Sequence, residues 1–340
     1  MVVLPSEDGV RDLRFAICDL RSGSVRPLRP ALRFTFYVFA LSLSCVWLFL
    51  GCDGKAPSIV VAYTSQDQVY AEPILKDFTR QTGIEVRPVF DSEAVKTVGL
   101  ANRLLAERAH PQCDVFWSNE ELRTHQLEAQ NVFREANPWR AIGFRTRRIV
   151  INTNYVKAAS APATLLELTN SRWRGKIALA YPLFGTTATH FLALRQHWGE
   201  GRWLEWCRAL QANEPLIVDG NSVVVRLVGK GEAWAGLTDS DDIAAGQREG
   251  LPIAAMPISG DTLLIPNTVG VIRNAPHADP AQKLFEYLQQ PAVLERLIQA
   301  NALEGKSVDE LKTPTLKADW SELVRELNAT TAKLKEIFLR

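Results

Sequence analysis

The chain has 340 residues, 46% of them hydrophobic and 23% charged, the balance of a folded protein with chain enough for two domains. Lys and Arg number 39 against 38 Asp and Glu, a net charge of +1, so no global basic field points to nucleic acid. Five cysteines are too few and too scattered for a disulfide scaffold, and collagen-like and polytopic membrane classes are excluded by the same composition.

The chain opens with a segment set apart from the fold. Phe34 to Leu50 run 17 residues without a charge, preceded by Arg26, Arg29 and Arg33 and followed by Gly51, Cys52 and Asp53. A basic flank, an apolar stretch and a small residue at its end describe a secretory signal. The stretch is also near the shortest that spans a bilayer, so a retained anchor is the alternative. Leu48-Phe49-Leu50-Gly51-Cys52 resembles a bacterial lipobox, which implies lipidation of Cys52 and a membrane tether. Residues 1–51 are therefore read as extension and signal peptide, and 52–58 as lipidated Cys and linker. Without residues 1–51 the chain carries 33 basic and 34 acidic residues and keeps Cys52, Cys113 and Cys207. The last two are expected in different lobes, as separate buried thiols.

Ile59–Tyr63 is a β-branched apolar run that reads as a buried strand. A helix follows Ser65-Gln66-Asp67 and closes at Thr82-Gly83, a C-terminal glycine signal. Ile84–Phe90 is the next strand, Ser92–Arg108 a helix, and Cys113–Trp117 a third strand. Strand, helix, strand, helix, strand predicts a parallel sheet with right-handed crossovers. Ligands of such sheets bind at the C-terminal strand ends, here Thr64–Asp67, Asp91–Glu93 and Ser118–Glu121. Arg148–Thr153 reads as a strand, and the cluster Arg145, Arg147, Arg148 before it as its solvated edge rather than a phosphate site. A second alternating region follows, with strands at Lys176–Ala180 and Ala233–Leu237 and helices near 164–170, 187–198, 202–212 and 222–229. Leu263–Val271 is strand-like though it contains Pro266, and helices begin near Pro280 and Ser321. The pattern predicts two α/β lobes around a cleft: 59–150 in the first lobe, 151–264 in the second, and 265–340 returning to the first and ending in helices.

Val61-Ala62-Tyr63-Thr64-Ser65-Gln66-Asp67 and Phe78 to Val86 resemble the opening of family 1 bacterial extracellular solute-binding proteins, in the branch of ferric-iron-binding components of ABC transporters. Asp114 to Glu120, Asn221 to Arg226, Gly231-Glu232-Ala233, Gly236-Leu237-Thr238-Asp239 and Pro266 to Ile272 with Ala275-Pro276-His277 match further segments in the same order, from about residue 58 to 300. The resemblance implies a type II periplasmic-binding-protein-like fold, two α/β lobes closing on a ligand.

It also implies a metal site formed by an early His or Tyr, an acid after the third strand and a Tyr pair in the second lobe. This sequence has Asp67 at the early position and Glu120 as the acid. Thr238-Asp239-Ser240-Asp241-Asp242 stands where the Tyr pair is expected. The candidate metal ligands are thus Asp67, Glu120, Asp239 and Asp241. Asp242 and the hydroxyls of Thr186, Thr187 and Ser222 complete the candidate ligand set. Carboxylates and hydroxyls suit hard cations such as Mg²⁺, Ca²⁺, Mn²⁺ and iron, and acids gathered without a cation repel one another. The hydroxyls at two helix starts also suit an anion, or capping alone. Asp239–Asp242 and Asp67 equally fit solvated helix starts. Tyr63, Tyr70, Trp117 and Tyr181 fall near the expected cleft, though core packing explains each.

No G-x-S-x-G, P-loop or H-E-x-x-H occurs, so no enzyme and no catalytic cofactor are expected. The sequence predicts a monomeric lipoprotein outside the cytoplasm that captures Fe³⁺ or another hard cation and delivers it to ABC permease subunits. A binding protein for an amine or phosphonate, and a secreted enzyme or sensor on the same fold, are the alternatives.

Overall fold

Nine strands and ten α-helices alternate along a computed structural model that describes residues 58–91, 98–307 and 314–339. The signal-like segment, Cys52 and the start of the helix expected at 92–108 lie outside the described residues. These fall in one compact unit, Ala56–Arg340, and among them no helix is long and apolar enough to cross a membrane.

The first half follows the expected rhythm: β1 (Ile59–Thr64), α1 (Gln68–Thr82), β2 (Glu85–Phe90), α2 (Val98–Glu107), β3 (Val115–Ser118), α3 (Leu122–Ala129) and β4 (Trp139–Asn152). β5 (Ile177–Ala180), α4 (Gly185–Trp198), α5 (Glu200–Ala212), β6 (Leu216–Val218), α6 (Asn221–Lys230), β7 (Ala235–Asp239), α7 (Ser240–Arg248) and β8 (Ile253–Met256) build the second lobe. β9 (Leu264–Val271), α8 (Ala278–Leu288), α9 (Pro291–Gln299) and α10 (Trp320–Phe338) complete the chain. The helix expected near 164–170 is a 3₁₀ turn, Leu166–Thr169.

The strands form the order β2-β1-β3-β9-β4-β7-β5-β6, with β8 also on β4. β1 runs parallel to β2 and β3, and β5 parallel to β6 and β7. β9 joins antiparallel between β3 and β4. The strand expected at 148–153 is 14 residues long and starts at Trp139. Its first half pairs with β9 in the first lobe, and its second half pairs with β7 and β8 in the second. One continuous strand therefore carries the chain from lobe to lobe.

A β-bulge interrupts β4 between Ala141 and Phe144. Gly143 takes φ 72° there, and a Cβ on it would lie 2.6 Å from Leu303 and 2.8 Å from the Gly305 carbonyl. Pro266 pairs with Phe144 beside this bulge, where a residue lacking an N–H is tolerated in a strand. Pro88 sits in β2, at the sheet's edge.

Each lobe buries apolar side chains on its sheet. β3 and β5 are buried at every position, as strands covered by helices on both faces are. In the first lobe Phe78, Trp117 and Leu284 are completely buried. Leu100, Phe116 and Phe133 fill the opposite face. Each such side chain contributes about 1.5–3 kcal/mol. The second lobe packs Phe191, Trp203 and Trp206 together with Leu323, Leu327, Leu334 and Phe338 of α10. The C-terminal helix thus docks on the second-lobe core, and it also packs against α3. Cys113 and Cys207 are free, buried thiols in different cores.

Candidate functional site

A cleft of about 40 Å³ opens where the parallel strands end. Asp67 and Asn119 line it from the first lobe; Tyr181, Phe184, Gly185, Thr186, Thr187, Asp219, Gly220 and Asn221 line it from the second. Arg145 on β4 and Asp239, Asp241 and Asp242 at the β7–α7 junction complete the wall. Four helices begin here: Asp67 precedes α1, Thr186 and Thr187 sit in the first turn of α4, Asn221 starts α6, and Asp241 and Asp242 lie in the first turn of α7. Helix N-termini present N–H groups and positive dipole ends. The turn into α4 needs Gly185, at φ 54°.

The charges are arranged around Asp239, which is buried and held by four donors. Arg147 Nη1 donates to its Oδ1 at 2.5 Å. Its Oδ2 accepts from Thr186 Oγ1 at 2.7 Å and from Arg145 Nη2 and Asn221 Nδ2, both at 3.2 Å. Burial alone would raise this carboxyl. The guanidiniums of Arg147 and Arg145, with the hydrogen bonds from Arg147 and Thr186, outweigh it and hold the carboxyl below the usual range. Arg145 Nε also lies 3.4 Å from Asp241 Oδ1. Burial would lower the Arg145 pKa, but the field of Asp241, Asp239, Asp67 and Asp242 raises it instead.

Asp239, Asp241 and Asp242 each offer a carboxylate oxygen within 4.8 Å of the others. The structure therefore gathers Asp67, Thr186, Thr187, Asp239, Asp241 and Asp242 on one cleft. Glu120 lies outside the lining, fully buried one residue past Asn119. Its carboxylate accepts from the Leu122 N–H at 2.8 Å, the Arg123 N–H at 3.2 Å and Thr189 Oγ1 at 3.2 Å. Burial raises its pKa, against the pull of Arg123 and those three donors. Ser222 is the second residue of α6 and also lies outside the lining. Of the four aromatics expected near the cleft, Tyr181 lines it. Tyr63, Tyr70 and Trp117 are core residues.

Arg145 and Arg147 correct the solvated-edge reading: they are 2% and 0% exposed. The signal was in the sequence, because residues two apart on a strand share a face. A buried arginine, however, survives only beside acids, and those acids are about 90 residues away in the chain. Among the described residues, Arg145 Nε and Nη1 and Arg147 Nε and Nη2 have no hydrogen-bond partner. Asn119, Asp219 and Asn221 also enter the site as side chains that loop position alone singles out.

The sequence profile of bacterial extracellular solute-binding proteins matches residues 59–300. The chain is 27% identical over 217 residues to the Fe(3+)-binding periplasmic protein of Serratia marcescens, covering 58% of this chain and 62% of that protein, less than two thirds of its length. It is 23% identical over 271 residues to a putative 2-aminoethylphosphonate-binding periplasmic protein of Salmonella paratyphi A, covering 73% and 79%. Iron-bound HitA from Pseudomonas aeruginosa superposes with a TM-score of 0.71 at 18% identity, covering 82% of this chain and 99% of that one. The fold is the two-lobed type II periplasmic-binding-protein fold. With its profile matched across both lobes, the chain belongs to the bacterial extracellular solute-binding proteins.

Proposed function

We propose that this protein is the extracytoplasmic solute-binding component of an ABC importer, and that its cleft captures a small, hard, multivalent cation, ferric iron first among them. The observation that carries this reading is a balance of charge and size. Asp67, Asp219, Asp239, Asp241 and Asp242 stand against Arg145 and the adjoining Arg147, leaving three formal negative charges around about 40 Å³. Carboxylates so close repel one another until a cation joins them, and a trivalent ion balances all three. The donors are carboxylate, hydroxyl and amide oxygens, the set that hard cations prefer. A cavity of this size holds an ion with a companion anion or a few waters, a water needing roughly 10–15 Å³. The name of the Serratia relative points the same way.

Both lobes supply cargo-facing acids, so cargo favours the closed arrangement by differential affinity, and closure is what permease subunits sense. Cys52 tethers the monomer to the membrane through its acyl chains. The protein holds and releases rather than transforms: the Thr186 hydroxyl on Asp239 is part of a buried arginine–carboxylate network, and the remaining cleft acids offer their oxygens to a cation.

A second reading, a solute with an amine and a phosphonate, is favoured by one observation. Arg145 lines the cleft with an unpartnered Nη1, among four helix N-termini that suit an oxyanion. The thermal midpoint of the chelated protein separates the two, scanned with Fe³⁺ as citrate complex, Fe²⁺, Mn²⁺, Ca²⁺, Mg²⁺ and 2-aminoethylphosphonate. Ligand at 100 times its Kd stabilises by about 2.7 kcal/mol. A rise with one metal, lost in Asp241→Ala, supports cation capture; a rise with the phosphonate alone overturns it.

A further inference from the structure

A tie between the lobes sits at the far end of a helix whose first turn lines the cleft. α7 carries Asp241 and Asp242 in its first turn and Arg248 in its last. Nine residues span about 12–14 Å at 1.5 Å each, so the backbone of Arg248 stands a helix length beyond the acids of the first turn, and its side chain reaches across to the first lobe. Its Nη2 donates to Tyr70 Oη at 2.8 Å, and its Nη1 donates to the Ala300 carbonyl at 3.0 Å. Tyr70 belongs to the first-lobe core, and Ala300 packs against it. Tyr70 lies in the first turn of α1, the helix preceded by Asp67. A helix from each lobe thus starts at the cleft with an acid, and the two are tied to each other by one guanidinium.

We propose that Arg248 is a closure clasp: by binding Tyr70 and the Ala300 carbonyl it holds α7 against the first lobe and sets how long cargo stays in the cleft. The planar guanidinium matters, because its fork reaches two acceptors at once, whereas an ammonium is a compact point charge on a flexible stem. Loss of the clasp favours the open lobes and acts on cargo release more than on capture, as most affinity changes within one interface do. Arg248 makes no part of the cleft lining, so it acts on cargo without touching it.

The proposal's release arm rests on the binding reading above; its closure arm does not. Hydrogen–deuterium exchange is followed on the full chain in detergent, without added ligand, for wild type, Arg248→Ala, Arg248→Lys, Tyr70→Phe and the Arg248→Ala/Tyr70→Phe double variant. Exchange at 183–187, on the second-lobe wall and sharing no side-chain hydrogen bond with either substituted residue, is expected to rise five- to twentyfold in Arg248→Ala. It should rise less in Tyr70→Phe and Arg248→Lys, with the double variant no faster than Arg248→Ala. With Fe³⁺-citrate, dissociation should quicken five- to twentyfold in Arg248→Ala while association changes less than twofold. Unchanged exchange at 183–187 in Arg248→Ala overturns the clasp. Wild type that ignores every metal and the phosphonate overturns the cargo reading instead, and leaves the ligand-free comparison to judge the clasp.

Discussion

Thr189 donates its hydroxyl to Glu120 across the lobe boundary at 3.2 Å, so an acid that the sequence places among the candidate ligands sits here at the boundary between the lobes. Thr189 belongs to α4 and Glu120 to the turn that enters α3, where it also accepts two backbone N–H groups.

Glu120→Gln is expected to keep the fold but to cost about 1–3 kcal/mol at pH 7, because Oε2 accepts from Leu122 and Thr189 and Oε1 from Arg123, and an amide keeps only one of these oxygens and leaves a buried donor facing its NH2. Burial raises this carboxyl in the folded state. The fold therefore binds its proton more tightly than the unfolded chain, and the Glu120 contribution to stability declines as pH rises from about 4.3. Urea titrations at several pH values should show that decline in wild type and a shallower one in the variant. The metal-induced rise in thermal midpoint should match wild type in Glu120→Gln.

His190 gives the opposite slope. It is fully buried, Nε2 donates to the Asp261 carbonyl at 2.8 Å, and burial together with the Arg147 charge pushes its pKa down to about 3. The unfolded chain takes up this proton near pH 6.5 and the fold does not. Stability therefore falls as pH drops from 6.5 toward 3, by about 2 kcal/mol between pH 7 and 5 from this group alone. His190→Gln keeps a donor for Asp261 and should remove that part of the slope in urea midpoints.

Asp239→Asn removes the carboxylate that pairs with both buried arginines, Arg145 and Arg147. Breaking a buried pair from one side costs about 3–5 kcal/mol, so chemical denaturation should show a loss of that order at pH 7. The carboxyl lies below the usual range in the fold. Its contribution is complete above about pH 4, where the unfolded Asp ionises, and disappears only as pH falls through the lower folded value. The difference between variant and wild type should accordingly shrink in strong acid.

Gly143→Ala tests the bulge in the strand shared by both lobes. Its φ of 72° and the approach of the Gly305 carbonyl leave no room for a methyl group, so a loss of about 1–3 kcal/mol is expected. Thermal unfolding measures it directly.

The sequence by itself determined the alternation β1-α1-β2-α2-β3, the second alternating region and the return at β9. These rest on local periodicity and on the glycine that ends α1 (Gly83), and apolar runs such as Ile59–Tyr63 show both. Of the cleft residues, the position of loops at C-terminal strand ends by itself picked out Asp67 and Asn119, while Thr186, Thr187, Asp239, Asp241 and Asp242 followed from the resemblance to solute-binding proteins. The sequence missed β6, β8 and α3, which are short, and the first nine residues of β4, whose polar stretch is stabilised by pairing with β9 rather than by its own pattern.

Tertiary structure alone decided the roles. Arg145 and Arg147 look solvated in a sequence because desolvating a charge is costly. Only the return of Asp239 and Asp241 beside them, through the β4–β7 pairing, offsets that cost. The same holds for Glu120: sequence places it after a buried strand, but its partners are the start of α3 and a threonine from the other lobe. Which acids line the cleft and which lie behind it depends on contacts between segments far apart in the chain, and those exist only once the chain has folded.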